Sequence, residues 1–450
     1  MNILHYGLGF PPYRSGGMTK YCVDLMISQK EEGHKVAMIW PGQITIVRNR
    51  DVLIKKRKSN NGIGSYEIIN PLPIPYDEGI QDIDRFMVDR GQAVYRKFFK
   101  EHQIDYLIVH TLMGMHKTFL EVAHENNIKI CYVSHDYFGV CPKVTLFHNG
   151  QPCTDNSDCS KCVACNKDAL SFNKMFLLQQ PLYRFLKDSV VVKKLRRMHR
   201  SKEVYSSELI SESVIKDDAK AQQYLTLRNH YIEMLKCMDK VFYNSTVAKE
   251  QYEQFFSPNS SQLIHITHRN LVDCRQSKGF DKTLKIVYLA PLKQFKGFEL
   301  LMQVVERLYQ SGRKDFRLAI YGNYSQNREY LTVKDGYTYE DMKDIFQEAD
   351  VLVAPSIWNE TFGFTVAEAI YAGVPVIVSD RVGAKDLVRD GWNGRIISPD
   401  EECFYQSLVQ IYDDRELLKQ FHLNILSMDL PTDDLIEIES VMAVEKGNIS

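Results

Sequence analysis

The sequence predicts an α/β protein built from two doubly wound, Rossmann-like domains that face each other across a cleft. Two observations carry that reading. Short apolar runs alternate with amphipathic helical stretches, which is how β-α units of a parallel sheet look in sequence. The alternation occurs twice along 450 residues, a length suited to two or three domains.

In the first half, Asn2–Tyr6, Lys35–Ile39, Tyr106–His110 and Lys129–Ser134 read as buried strands. Between the first two, Met18, Tyr21, Cys22, Leu25 and Met26 recur at spacings of three and four and mark one face of a helix. In the second half, Leu284–Ala290, Phe316–Tyr321, Val351–Ala354 and Val374–Ser379 are the expected strands. The polar stretch from His268 to Lys282 reads as the linker, giving a first domain over 1–268 and a second over 283–404. A cysteine-rich insertion of about 150–223 breaks the rhythm of the first domain, and 405–450 reads as a helical segment packing back on it.

Composition narrows the function. Charged residues make up 25% and hydrophobic ones 44%, values of an ordinary globular chain. Lys+Arg 56 against Asp+Glu 57 leaves a net charge of -1, no global field for nucleic acid, so none is expected as a partner. No apolar run approaches the roughly 18 residues of a spanning helix. The start, MNILHYGLGF, lacks the basic-then-apolar order of a signal peptide, which makes the cytoplasm the default compartment. There, ten cysteines are thiols or metal ligands more often than disulfides.

The chemistry should sit just after strands, because open parallel sheets bind ligands at the carboxyl ends of their strands. After the first strand, the loop Gly7–Gly17 ends in Gly16 and Gly17 at a helix start, where backbone N–H groups approach a phosphate closely. A tight turn that needs glycine explains the same pair. Lys293 and Lys296 follow the strand at Leu284, placed to neutralise a diphosphate or simply to be solvated. The densest segment runs from Pro355 to Ile377 and reads strand, loop, helix, strand. It puts Glu360 at the strand's mouth and Glu368 inside a helix that begins near Thr361. Two carboxylates at separated stations suit a ligand with hydroxyls at both ends, and the amides of Thr361, Phe362 and Gly363 add donors between them. An acidic N-cap region plus a surface glutamate is the plainer alternative.

These residues resemble a family. Glu360 and Glu368 are separated by seven residues and followed by Ala372-Gly373-Val374-Pro375-Val376 and Gly391-Trp392-Asn393-Gly394. The pattern is similar to the donor-binding signature of the retaining, GT-B-fold glycosyltransferases of glycosyltransferase family 4. The first domain resembles them more weakly, through Gly16-Gly17, Gly33-His34-Lys35-Val36 and Ser134-His135-Asp136. The resemblance implies Glu368 as ligand of the ribose, Glu360 as contact to hexose hydroxyls, Lys296 as the diphosphate lysine and His135 as an active-site histidine near the transferred sugar. His135-Asp136 also reads as a buried polar pair finishing a strand. Two departures stand out: Pro291 occupies the usual arginine position, which leaves the second cation to Lys293 or Arg14, and Gly322–Gly336 is short, which leaves Tyr337 as the base-stacking candidate.

The implied reaction moves a sugar with retention from a UDP- or GDP-linked donor to a glycan or lipid-linked acceptor. It needs no metal and belongs to cell-surface polysaccharide synthesis. A GT-B-fold epimerase or phosphorylase, or a non-catalytic sugar-binding or scaffold subunit, are the alternatives.

Two further features lie in the insertion. Cys153, Cys159, Cys162 and Cys165 form C-x5-C-x2-C-x2-C, a spacing compatible with structural zinc, with free thiols or with disulfides; Cys141 can replace one ligand. Over Phe172–Lys202 an apolar stripe precedes Arg184, Lys187, Lys193, Lys194, Arg196, Arg197, Arg200 and Lys202. That order suits an interfacial element on anionic lipid at the inner face of the plasma membrane, or a packed amphipathic helix with a solvated basic face.

Overall fold

Strands β1 (Asn2–Tyr6), β2 (Lys35–Pro41), β3 (Leu53–Lys56), β4 (Gly64–Ile69), β5 (Tyr106–Val109) and β6 (Lys129–Ser134) build most of the first sheet. A hairpin of β7 (Phe147–His148) and β8 (Gln151–Pro152) follows, and β9 (Lys240–Tyr243) and β10 (Ser261–Leu263) complete the sheet. Its order is β10-β9-β6-β5-β1-β2-β4-β3, parallel throughout except for β3 against β4. The computed structural model describes residues 1–45, 51–75, 77–154, 157–180, 217–280 and 282–431.

The second sheet comprises β11 (Leu284–Tyr288), β12 (Phe316–Tyr321), β13 (Leu331–Lys334), β14 (Val351–Ala354), β15 (Val376–Ser379) and β16 (Gly394–Ile397). Its order, β13-β12-β11-β14-β15-β16, is all parallel and reverses direction between β11 and β14. That reversal is the topological switch point where doubly wound sheets open a crevice. The α/β class with two doubly wound domains is therefore what the chain adopts.

Among the strands missed in sequence, β4 is interior, and others sit on an edge. β13 and β3 are edge strands with mostly exposed side chains, so no buried alternation marks them. The predicted first helix runs Gly17–Glu31 and turns Tyr21, Cys22, Leu25 and Met26 inward.

One expectation about organisation changes. The helix Asp218–Lys236 begins where the stretch assigned to the insertion ends, and its Tyr224, Leu227, Tyr231 and Leu235 sit in the first domain's main core. The helices Glu401–Asp413 and Arg415–Ser427 do not pack on the first domain. Phe404, Leu408, Ile411 and Leu418 share a core with β11, β12 and the helix Phe298–Gln310 of the second. Only Met428–Pro431 turn toward the first helix, lining a cavity with Tyr21, Asp24 and Leu25. Residues 432–450 lie outside the described ones, as do 181–216, which carry the basic cluster. The described start of the proposed interfacial stretch, Phe172–Leu178, buries Met175 and leaves Leu177 exposed.

The two domains meet along one apolar seam in which Ile3, Tyr21 and Leu25 of the first join Leu352, Phe362 and Val366 of the second. Polar contacts reinforce it. The Thr246 backbone N–H and Oγ1 donate to Asp386 at 2.7 and 2.6 Å. These contacts hold the carboxyl ends of both sheets toward each other.

Candidate active site

Lys296 comes from the turn after β11 and Glu360 from the loop after β14, the two strands that flank the switch point. Gly297 makes the approach feasible. It has φ 74°, and a Cβ there would fall 1.9 Å from the Pro355 carbonyl oxygen, so only glycine lets the two loops touch. The Lys296 ammonium bonds the Glu360 carboxylate and lies 5.1 Å over the Trp358 ring. With Gly363, Tyr288 and Ser356 the pair lines a pocket of about 20 Å³, room for little more than one water. Any larger ligand has to part the pair.

Glu360 is pinned from behind: its N–H donates to the Arg381 carbonyl at 2.8 Å and its carbonyl accepts from Gly383 at 3.0 Å. The helix begins at Phe364, later than the sequence suggests, with Gly363 as a left-handed N-cap at φ 96°. Thr361 and Phe362 are thus loop residues, and their roles differ from free amide donors. Thr361 Oγ1 donates to the His135 carbonyl at 3.0 Å, tying the domains together, while the Phe362 ring is buried in the seam.

Glu368 sits one turn inside that helix, and its Oε1 is 3.2 Å from His268 Nε2. Both side chains are almost fully enclosed, at 9% and 1% exposure. His268 is the site residue that sequence reasoning missed, because it stands at the end of a polar stretch that reads as linker. Its ring also packs on Phe364 and Tyr339. Beside it, a cavity of about 690 Å³ opens between Asp24 and Leu25 of the first helix and His268, Arg269 and Tyr371. This cavity is much the larger of the two, and the Lys296–Glu360 pair lies apart from it, at the strand mouths.

The remaining sequence-predicted residues divide. Gly16, at φ 116°, is the N-cap of the first helix, and a Cβ on Gly17 would meet the Phe364 ring at 2.9 Å. Gly17 therefore serves domain contact, whereas a Cβ on Gly16 would meet nothing within 4 Å. Tyr337 donates to the Leu289 carbonyl at 3.0 Å and packs edge-on to Tyr321, which anchors it at the sheet's end. Lys293 is not brought to Lys296: it is half exposed and pairs with Asp77 of the first domain at 3.5 Å.

His135 leaves the end of β6 and reaches the cleft, where burial pushes its imidazole down to about 3. Its ring partner is not Asp136. His135 Nε2 lies 3.2 Å from His110 Nδ1, whereas Asp136 accepts from the Phe138 N–H at 2.9 Å. Burial raises the Asp136 carboxyl to about 6.

The cysteines regroup. Cys162 and Cys165 lie three apart on the short helix Ser160–Cys165, and Cys153 follows the hairpin, its N–H 2.7 Å from the Leu146 carbonyl. Burial and then the Cys162 thiol push Cys141 up to about 11, and burial raises Cys165 to about 12, with Cys141, Cys162 and Cys153 as its thiol neighbours. Backbone N–H groups of Lys143 and Leu146 face the Cys141 sulfur. Cys141 thus lies among the thiols of Cys153, Cys162 and Cys165, while Cys159, at φ 59°, is the N-cap of the short helix. Among the described residues no three of these sulfurs lie within 4.8 Å of one another, so the thiols share a pocket without a preformed tetrahedron.

Comparison with known proteins places this geometry. Residues 283–414, which hold Lys296, Glu360 and Glu368, match the family described as Glycosyl transferases group 1. The D-inositol 3-phosphate glycosyltransferase of Corynebacterium diphtheriae is 29% identical over 167 residues, 33% of this chain and 39% of that protein. The chain thus spans well under half the length of that curated relative. An uncharacterized 42.6 kDa protein in the cps region of Klebsiella pneumoniae is 24% identical over 398 residues, 85% of this chain and 86% of that one. Anabaena Alr3699/HepE in complex with UDP superposes with a TM-score of 0.58 at 11% identity over 100% of both chains. The two-domain architecture is that of GT-B glycosyltransferases.

Proposed function

We propose that this chain is a glycosyltransferase that moves a hexose-type sugar, with retention, from a UDP- or GDP-linked donor to a glycan or lipid-linked acceptor. The observation that carries the reading is the Lys296–Glu360 pair at the switch point of the second sheet, with Thr361 beside Glu360 donating to the His135 carbonyl of the first domain. In this reading Lys296 leaves Glu360 for the diphosphate and stabilises the charge that develops as the leaving group departs. Glu360 accepts hydrogen bonds from sugar hydroxyls, and Glu368, steadied by His268, accepts those of the ribose. Leaving-group oxygens help deprotonate the acceptor on the same face of the sugar. The lysine supplies the positive charge at the diphosphate, so no divalent metal is required.

A role in cell-surface polysaccharide assembly is supported by the Klebsiella relative from a cps region. The basic cluster Arg184–Lys202 suits docking on anionic lipid, and no helix among the described residues is long and apolar enough to cross a membrane. Sedimentation with anionic vesicles, lost when Lys193, Lys194, Arg196 and Arg197 become Gln, is the expected behaviour.

The deciding experiment is a panel of nucleotide sugars. We expect one donor to raise the unfolding temperature and to be hydrolysed slowly without acceptor. Absence of both effects across UDP- and GDP-linked sugars removes the proposal.

A further inference from the structure

Three histidines stand on adjacent parallel strands, each one same-face step further toward the carboxyl end than the last. His5 of β1 pairs with Ile108 of β5, so His110 lies two residues further along. Val109 pairs with Tyr132 of β6, which sets His110 level with Val133 and His135 two residues beyond it. Residues two apart on a strand share a face. The imidazoles therefore form a staircase from the protein interior to the cleft.

Its joints are hydrogen bonds. His5 Nδ1 is 3.0 Å from His110 Nε2, and His110 Nδ1 is 3.2 Å from His135 Nε2. Adjacent rings stack at 5.3 and 5.4 Å. At the inner end His5 Nε2 lies 2.7 Å from Oε1 of Gln29, on the first helix. His5, His110 and Gln29 are all 0% exposed. Tyr21 packs on the outer two rings, at 6.0 and 5.0 Å. Cys22 joins His5 and His110 in a group whose ligand atoms lie within 4.8 Å of one another. A metal there would need the lone pair already committed to the His5–His110 hydrogen bond, and burial holds the Cys22 thiol protonated. The group reads as a relay rather than a metal centre.

A neutral imidazole has one N–H and one bare nitrogen, so fixing one end fixes every joint. Burial lowers His5 to about 4, His110 well below its ordinary value and His135 to about 3, which leaves all three neutral near pH 7. With its carbonyl oxygen toward His5, an orientation that leaves Gln29 Nε2 buried without a hydrogen-bond partner, Gln29 can only accept there. His5 then carries its proton on Nε2 and offers a bare Nδ1, His110 donates from Nε2 and accepts at Nδ1, and His135 donates from Nε2. The outer nitrogen, His135 Nδ1, bonds no described residue and is not among the buried atoms lacking a partner. We propose that Gln29, His5 and His110 are positioning residues that hold His135 in the Nε2–H tautomer, so that its Nδ1 lone pair accepts a hydrogen bond from a sugar hydroxyl in the cleft. The last clause rests on the glycosyl-transfer reading; the tautomer does not.

The test is ¹⁵N NMR of histidine-labelled full-length chain at pH 7, with His135 assigned by its loss in His135→Asn. We expect one protonated-type signal for Nε2 and one bare-type signal for Nδ1. Gln29→Met, which deletes the acceptor at the inner end, should average the two and raise the donor KM about fivefold, one neutral hydrogen bond's worth. His135→Asn keeps an acceptor near the Nδ1 position but cuts the link to His110, so adding Gln29→Met to it should change the KM no further. A wild-type His135 protonated on Nδ1, or averaged between the two forms, overturns the proposal, as does a Gln29→Met chain with unchanged signals. Because the signals are read without substrate, a single tautomer that Gln29→Met abolishes supports the relay even in a chain that transfers no sugar.

Discussion

Replacing Glu360 with Gln should tighten the binding of a nucleoside diphosphate while slowing sugar transfer. In the ligand-free chain the Lys296 ammonium is engaged by Glu360, and the two side chains keep only 15% and 19% exposure. A diphosphate has to compete for that ammonium. Two unit charges about 4 Å apart attract by about 4 kcal/mol at an effective dielectric constant near 20. Desolvation offsets most of this, and measured ion pairs at partly exposed positions retain about 1 kcal/mol. Glu360→Gln preserves shape and hydrogen bonding but removes the competing charge, so Kd for UDP or GDP should fall about fivefold to tenfold. Turnover should fall by about tenfold or more, because the amide is a weaker acceptor for sugar hydroxyls than the carboxylate. Calorimetric titration with each diphosphate, beside initial rates with the full donor, measures both. Unchanged or weaker diphosphate binding in the variant would refute the argument, since Lys296 would then not be the cation that meets the diphosphate.

Glu368→Ala should raise the donor KM more than it lowers kcat, and His268→Ala should reproduce part of that rise, because His268 holds the carboxylate at 3.2 Å; normal KM values in both would dismiss the ribose assignment. Stability should fall on acidification. His5 and His116 have pKa values of about 4 when folded against 6.5 ordinarily, so between those values the unfolded chain binds protons that the folded chain does not. Each such group contributes up to about 1.4 kcal/mol per pH unit. Asp136, raised to about 6, and Asp350, also raised by burial, act in the opposite direction, but they are two carboxyls against several imidazoles. Urea midpoints that do not drop between pH 7 and pH 5 would contradict this. We also propose one structural zinc per chain, held by four of Cys141, Cys153, Cys159, Cys162 and Cys165; elemental analysis should find the metal in wild-type protein and lose it when Cys159 and Cys162 become Ser, and metal-free wild-type protein would reject it.

The sequence by itself determined the fold class and the local placement of Glu360 and Glu368. Strands such as Val351–Ala354 and Val376–Ser379 are buried on both faces in a parallel sheet, so they stand out as continuous apolar runs. Glu360 and Glu368 flank one loop-helix turn, so their spacing is local and readable. Only the tertiary structure decided which distant residues complete the site. His268 joins Glu368 across a sequence separation of 100, and His5, His110 and His135 become neighbours solely because β1, β5 and β6 pair side by side in one register. The same holds where the reading changed. Cys141 comes to lie among the thiols of Cys153, Cys162 and Cys165, and Lys293 pairs with Asp77 of the other domain across a sequence separation of 216. Periodicity records which face of an element is buried; it carries no record of which elements come to lie next to each other, and that adjacency set the chemistry of this cleft.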